Sequence, residues 1–240
     1  MGKTWKDRIR FLATSYAAVP YLIAVAANFI AFYGARPIYR LEEALGILRF
    51  HDLTIPQIDG YFEENLLAFR WFAVIYFSYF LFWLGGYWII AGEEKKVAHP
   101  FFAAAFFGMA ASLLIFVFFP TAMTQPVVGE NDDASWNFLA RMIYQADEPN
   151  NLFPSIHCMN SYFVARGTWK CRNLPKGYKW FCLFACVSIF ASTLFIRQHL
   201  FVDLIGAVVV AESAFLLEKA THAGRLFDKL DGIIRKETPV

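Results

Sequence analysis

Charge is scarce in this sequence: Asp, Glu, Lys and Arg make up 18% of its 240 residues. An ordinary soluble domain carries about 25%, so that class is excluded. Glycine–serine linkers, internal repeats and low-complexity tracts are also missing, which leaves one domain, residues 1–240, as the simplest organisation. Cysteine is limited to four residues without a C-x-x-C pair. Neither a zinc site nor a disulfide framework is indicated by such spacing. Cys182 and Cys186, four apart inside an apolar run, read as small packing residues.

What the chain has in abundance is apolar surface, with 58% hydrophobic residues and 27 phenylalanines. About 20 apolar residues in a helix cross the roughly 30 Å hydrocarbon core of a bilayer. Six such runs are predicted, at about 11–32, 69–91, 101–119, 153–169, 180–196 and 200–217, giving an all-α polytopic membrane protein. The first run is too long for a typical signal-peptide core and reads as an uncleaved anchor. The fourth and sixth are the polar ones: Ser155, His157, Asn160 and Ser161 in one, Asp203 and Glu212 in the other. Ionisable groups at membrane depth face a cavity or a partner.

Basic residues set the orientation, because short cytoplasmic connections hold the positive excess. The two termini and the even-numbered connections share 16 Lys and Arg, against six (Arg36, Arg40, Arg49, Arg70, Arg141 and Arg197) on the other side. Both termini are therefore expected inside. The net charge of +2 is then a matter of topology and gives no reason to expect nucleic acid as a partner. Outside lie the segment 34–68, the segment 121–152 and the turn near Gln198. In the first of these, "EEALGILRF" reads as an interfacial amphipathic helix and "HDLTIPQIDGYF" as an irregular loop. The second is acidic, through Glu130, Asp132, Asp133, Asp147 and Glu148.

Of five histidines, this topology puts His51, His157 and His199 at the outer face. His199 is followed four residues later by Asp203, a spacing that shares a helix face and lets a carboxylate hold and polarise an imidazole. Pro154 and Ser155 mark a helix start, with Ser155 the natural N-cap. The free N–H groups and dipole of that end favour an anion. Two histidines, a carboxylate and an anion site at one level are the parts that phosphoryl transfer uses: a nucleophile, an acid for the leaving oxygen, and donors for the phosphoryl oxygens.

At these residues the chain resembles the type 2 phosphatidic acid phosphatase (PAP2) superfamily of integral membrane lipid phosphatases. That family's P-S-G-H motif is matched by Pro154, Ser155, Ile156 and His157. Its S-R-x5-H-x3-D motif is matched by Ser192, Thr193, His199 and Asp203. The K-x6-R-P motif is not found: Arg36 and Pro37 are present, but Phe29 stands where the Lys belongs. Ile156 replaces the motif Gly and Thr193 the motif Arg, and Arg197 and Arg141 are candidate substitutes for binding phosphate. The resemblance implies that His199 is the nucleophile and forms a phosphohistidine, that Asp203 orients it, and that His157 protonates the leaving group. It implies too that Ser155, with the backbone at Ile156, binds phosphoryl oxygens, and that neither a metal nor a cofactor is required.

The expected function is a metal-independent phosphatase for a lipid phosphate or diphosphate, such as phosphatidic acid, phosphatidylglycerophosphate or a polyprenyl diphosphate, at the outer face of a bacterial plasma membrane. Loss of the Lys motif also resembles the sphingomyelin and inositol phosphorylceramide synthases, which implies headgroup transfer as the alternative. A non-catalytic membrane protein is the third reading.

Overall fold

The computed structural model describes residues 18–66, 71–126 and 134–236. Within them the chain forms ten helices: α1 (Ala18–Gly34), α2 (Arg36–Ala44), α3 (Pro56–Glu64), α4 (Phe72–Ala91), α5 (Lys95–Phe118), α6 (Ala134–Ala146), α7 (Ile156–Thr168), α8 (Lys176–Phe195), α9 (Phe201–Thr221) and α10 (Arg225–Lys236). Strand pairing among the described residues is confined to two isolated bridges, His51 with Thr121 and Ala122 with Asn150.

Among the described residues four helical stretches are long and apolar enough to cross a membrane: Ala18–Ala44, α4, α5 and α8. The expected fourth and sixth spans are helices of another kind. α7 has 13 residues, about 20 Å at a rise of 1.5 Å per residue. α9 has 21 residues but carries Asp203, Glu212 and Glu218. Residues 11–17 of the expected first span, 69–70 of the second, and Glu130, Asp132 and Asp133 lie outside the described residues.

α7 runs through the middle of the bundle, against α4, α5, α8 and α9. Eleven of its 13 residues are buried, and this wrapping is why a short, polar helix can occupy the middle of an apolar bundle: protein surrounds it. Two glycines let its neighbours approach. A Cβ on Gly86 of α4 would stand 2.4 Å from the Val164 side chain, and one on Gly108 of α5 would stand 2.8 Å from the Phe163 ring. Its polar side chains are paired. Asn160 donates to the Tyr79 hydroxyl at 2.8 Å and to the Asn28 carboxamide oxygen, and accepts from the Tyr87 hydroxyl at 2.7 Å, tying α1, α4 and α7 together. Glu212 of α9 accepts from Tyr162 at 2.6 Å and from Arg166 at 3.0 Å. Satisfied networks of this sort fix one packing where apolar contacts alone are degenerate.

The 34–68 segment divides differently from the expected helix followed by loop, as helix, loop and second helix. α2 continues almost directly from α1 and ends at Ala44, where Gly46 takes φ +69; a left-handed glycine stops a helix by turning the chain away. Residues 47–50 are not helical. "TIPQIDGYF", read as loop, contains α3, which starts at Pro56 and is capped by Asp59, whose carboxylate accepts from the Ile55 N–H at 2.7 Å. Proline at the first helical position is preorganised for such a start.

At one end of the bundle α10 is pinned to the start of α5, by Lys95 with Asp231 and by His99 with Asp228 at 2.8 Å. The opposite end gathers the starts of α7 and α9, the end of α8, and α3.

Candidate functional site

Two chain reversals build the site. α8 ends in a Schellman turn: the Gln198 N–H donates to the Thr193 carbonyl at 2.9 Å and the Arg197 N–H to the Leu194 carbonyl at 3.0 Å, with Arg197 left-handed at φ +55. This is the pattern that closes helix C-termini, usually with glycine at the left-handed position. Here an arginine takes it, and backbone of this rarity clusters at functional sites. The turn delivers Gln198 and His199 to a position just before Leu200, the extended N-cap of α9, so His199 meets Asp203 from ahead of the helix and not from a shared helix face. There Asp203 accepts from the Leu200 N–H at 2.8 Å and faces His199 Nδ1 at 3.3 Å. The second reversal precedes α7. Ser155 caps that helix by accepting from the Cys158 N–H at 3.2 Å, and its own N–H donates to the Asp203 carbonyl at 3.2 Å. The starts of α7 and α9 are thereby clamped to each other.

The clamp sets the two histidines face to face: His157 Nδ1 lies 3.4 Å from His199 Nε2. Both histidines are buried, their side chains about 6% exposed, and Asp203 is fully buried. On its far side His157 Nε2 is 3.0 Å from the Tyr76 hydroxyl, which in turn donates to Asp147 Oδ2 at 2.7 Å. The five groups form one line, Asp147, Tyr76, His157, His199, Asp203, in which the carboxylates stand at the two ends. Asp147 belongs to the segment after α6, and burial pushes its carboxyl above the usual range. The Tyr76 hydrogen bond and the charges of His199 and Arg36 work against that shift, while Glu148 adds to it.

The sequence-derived candidates divide accordingly. His157, His199 and Asp203 come together, and Ile156 lines a small pocket beside both rings, with Gln198, Asn150 and Asn151. The Ser155 hydroxyl is buried in the helix cap. Arg197 turns to α3, donating to the Asp59 carbonyl and to Glu63, each at 3.3 Å. Arg141 is exposed on α6. Thr193, at the motif Arg position, is buried with its hydroxyl 3.6 Å from the Cys158 sulfur. His51 is placed elsewhere, stacked on Phe119 at 4.2 Å between ring centroids. Tyr76, Asp147 and Gln198 were missed. Gln198 is 3% exposed and its Nε2 has no hydrogen-bond partner, a donor stored beside the histidines. Among the described residues no three His, Cys, Asp or Glu side chains converge as a metal ion would need.

A larger, laterally open cavity extends from His157 and Asp147 between α1 and α4, walled by Phe29, Tyr33, Phe77, Phe80 and Trp83. Phe29, Tyr33 and Phe80 are about half exposed on the bundle's outer surface. An apolar chain can thus enter from the side while a polar end reaches the histidines.

No curated protein and no solved structure matches the chain. A family model described as the PAP2 superfamily matches residues 36–217, a range holding both motifs, all five groups of the histidine line and every helix from α2 to the greater part of α9. With its apolar helices, the chain is a membrane protein of the PAP2 superfamily, a family of phosphatase-type activity.

Proposed function

We propose that the protein hydrolyses a phosphate or diphosphate ester of a lipid without a metal, through a phosphohistidine on His199. The observation that carries this reading is the 3.4 Å approach of His157 Nδ1 to His199 Nε2, with Asp203 behind His199. Asp203 takes the Nδ1–H of His199, which leaves the Nε2 lone pair pointing at the pocket, and it stabilises the positive ring formed when Nε2 bonds phosphorus. His157 protonates the departing oxygen and later removes a proton from the attacking water. Phosphoryl oxygens are held by the first N–H groups of α7, which have no partner within the helix, and by Gln198 Nε2. Arg197 contributes to binding by releasing its bonds to α3, and Arg141 by folding in from α6.

The lipid character of the substrate is supported by the aromatic cavity that reaches His157 from the bundle's side. The topology we propose has six crossings, with α7 and α9 supplying the two beyond the four apolar stretches. Both termini are inside, since the basic end of α7 (Arg166, Lys170) and the α5–α10 junction (Lys95, Lys96, Arg225) share the end opposite the histidines. On this topology the site opens towards the outer side of the membrane, which we read from the chain's short connections as a bacterial plasma membrane.

The test is phosphate release by the detergent-purified protein, with chelator present, from phosphatidic acid, phosphatidylglycerophosphate and a polyprenyl diphosphate. Release is expected from at least one, and is expected to vanish in His199→Ala and His157→Ala. Undiminished release in either variant would remove the assignment. Silence on the whole panel, followed by conversion of donor to a new lipid when a lipid alcohol is added, would establish headgroup transfer at the same residues; the absent Lys motif favours that second reading.

A further inference from the structure

Building on that reading of the histidines, we propose that Tyr76 and Asp147 act together as a positioning pair that fixes the exchangeable proton of His157 on Nδ1, the nitrogen facing His199. The argument is one of donors and acceptors. An ionised carboxylate only accepts, so the Tyr76 hydroxyl, 2.7 Å from Asp147 Oδ2, must give it its single proton. Towards His157 Nε2, 3.0 Å away, the phenol oxygen can then only accept, so Nε2 must carry a hydrogen. A neutral imidazole has one N–H, and with Nε2 occupied the proton that comes and goes is the one on Nδ1. The ring is held in that attitude by the faces of Tyr76 and Tyr79, with centroids at 4.8 and 4.5 Å, while Asp147 Oδ2 remains 3.9 Å from Nε2 and steadies the imidazolium electrostatically.

The step balances as follows. The His199 Nε2 lone pair forms the N–P bond, the P–O bond breaks with its electron pair on the leaving oxygen, and that oxygen takes the Nδ1 proton, leaving His157 neutral with its hydrogen on Nε2. In the second half, water gives a proton to Nδ1 as its oxygen bonds phosphorus, and the N–P pair returns to His199. His157 and His199 are thus backed in opposite senses. A carboxylate fixes Nδ1–H on His199 so that Nε2 attacks; a phenol backed by a carboxylate fixes Nε2–H on His157 so that Nδ1 donates.

A packing role and a proton-positioning role separate by leaving group. Release of the leaving alcohol or phenol, a signal common to hydrolysis and transfer, would be followed for a long-chain alkyl phosphate, whose alkoxide needs a proton, and for an alkylated nitrophenyl phosphate, whose phenolate does not. Tyr76→Phe and Asp147→Asn are each expected to lower the single-turnover rate of leaving-group release from the alkyl ester by roughly 10²-fold, the lower end for a general acid, and to leave that single-turnover rate for the nitrophenyl ester within about threefold of the parent. An equal loss on both esters, or no loss on either, overturns the proposal. His199→Ala runs in parallel: if it keeps activity, the underlying reading of the site fails, whereas loss of both esters in His199→Ala together with unselective Tyr76→Phe and Asp147→Asn sinks only the positioning pair. Should Tyr76→Phe not fold, Asp147→Asn keeps the phenol packing and decides alone.

Discussion

Replacing Asp203 by Asn tests the nucleophile's half of the line with the least change of shape. In the proposed mechanism the ring becomes cationic as His199 Nε2 bonds phosphorus, with Asp203 Oδ2 3.3 Å from Nδ1. Two unit charges at that distance, at the effective dielectric of about 20 that suits buried sites, attract by about 5 kcal/mol. At 1.36 kcal/mol per decade this is roughly 10³- to 10⁴-fold in rate. Folding should tolerate the change. Asn keeps an oxygen to accept from the Leu200 N–H, and it relieves a carboxylate whose second oxygen is buried without a partner, a state that costs stability. The measurement is single-turnover phosphoenzyme formation on radiolabelled lipid phosphate beside a thermal melt of the same preparation. Asp203→Asn is expected to melt near the parent and to form phosphoenzyme at least about a thousand times more slowly. Phosphorylation within tenfold of the parent would refute the claim that this carboxylate supports the nucleophile.

Gly86→Ala should lower the unfolding midpoint, because the new Cβ would lie 2.4 Å from Val164, a β-branched side chain with little rotamer freedom; overpacking of this kind costs about 1–3 kcal/mol. Gly85→Ala, with nothing within 4 Å, is the neutral control in the same melt. Gln198→Ala should lower kcat/KM about 10- to 100-fold if its amide meets a phosphoryl oxygen, the range for a hydrogen bond to a charged group, with KM taking the larger share. Asp147→Asn should melt above the parent at pH 7. The native carboxyl's pKa is raised by burial, so its favourable contribution is present below the ordinary carboxylate range and is lost as pH rises through the raised value. Melts across pH should show the gap between variant and parent narrowing in acid, and a gap independent of pH would contradict the assignment.

The motifs were legible because they are local. His199 and Asp203 are four residues apart, with His199 just ahead of the extended N-cap Leu200 and Asp203 in the first turn of α9, and Pro154–Ser155 announces a helix start, so the sequence carries their proximity within a few residues. Tyr76, Asp147 and Gln198 were not legible. Tyr76 reaches its partners across 71 and 81 residues, and in the sequence it is one aromatic among many in an apolar run. Gln198 adjoins a motif residue, but only the left-handed Arg197 aims it, and arginine does not advertise that conformation. Hydropathy likewise marked 153–169 as a span. It counts apolar residues without regard to whether they face lipid, and α7 is apolar enough because it is wrapped by protein. In the 34–68 segment the charge pattern of "EEALGILRF" suggested a helix, and Gly46 at its centre was the overlooked stop.

The length of α7 bears on chemistry through depth. A helix of about 20 Å in a hydrocarbon layer of about 30 Å cannot bring both ends to the headgroups. In the proposed topology Arg166 and Lys170 hold one end at the inner surface, so the end bearing His157 lies about 10 Å below the outer headgroups. A phosphate arriving there has been drawn under its neighbours, along an aromatic passage open to the bilayer. Water must make the same descent, while a lipid alcohol is already at that level. The choice between hydrolysis and transfer is then a competition in supply, governed by how readily each acceptor reaches a submerged phosphohistidine.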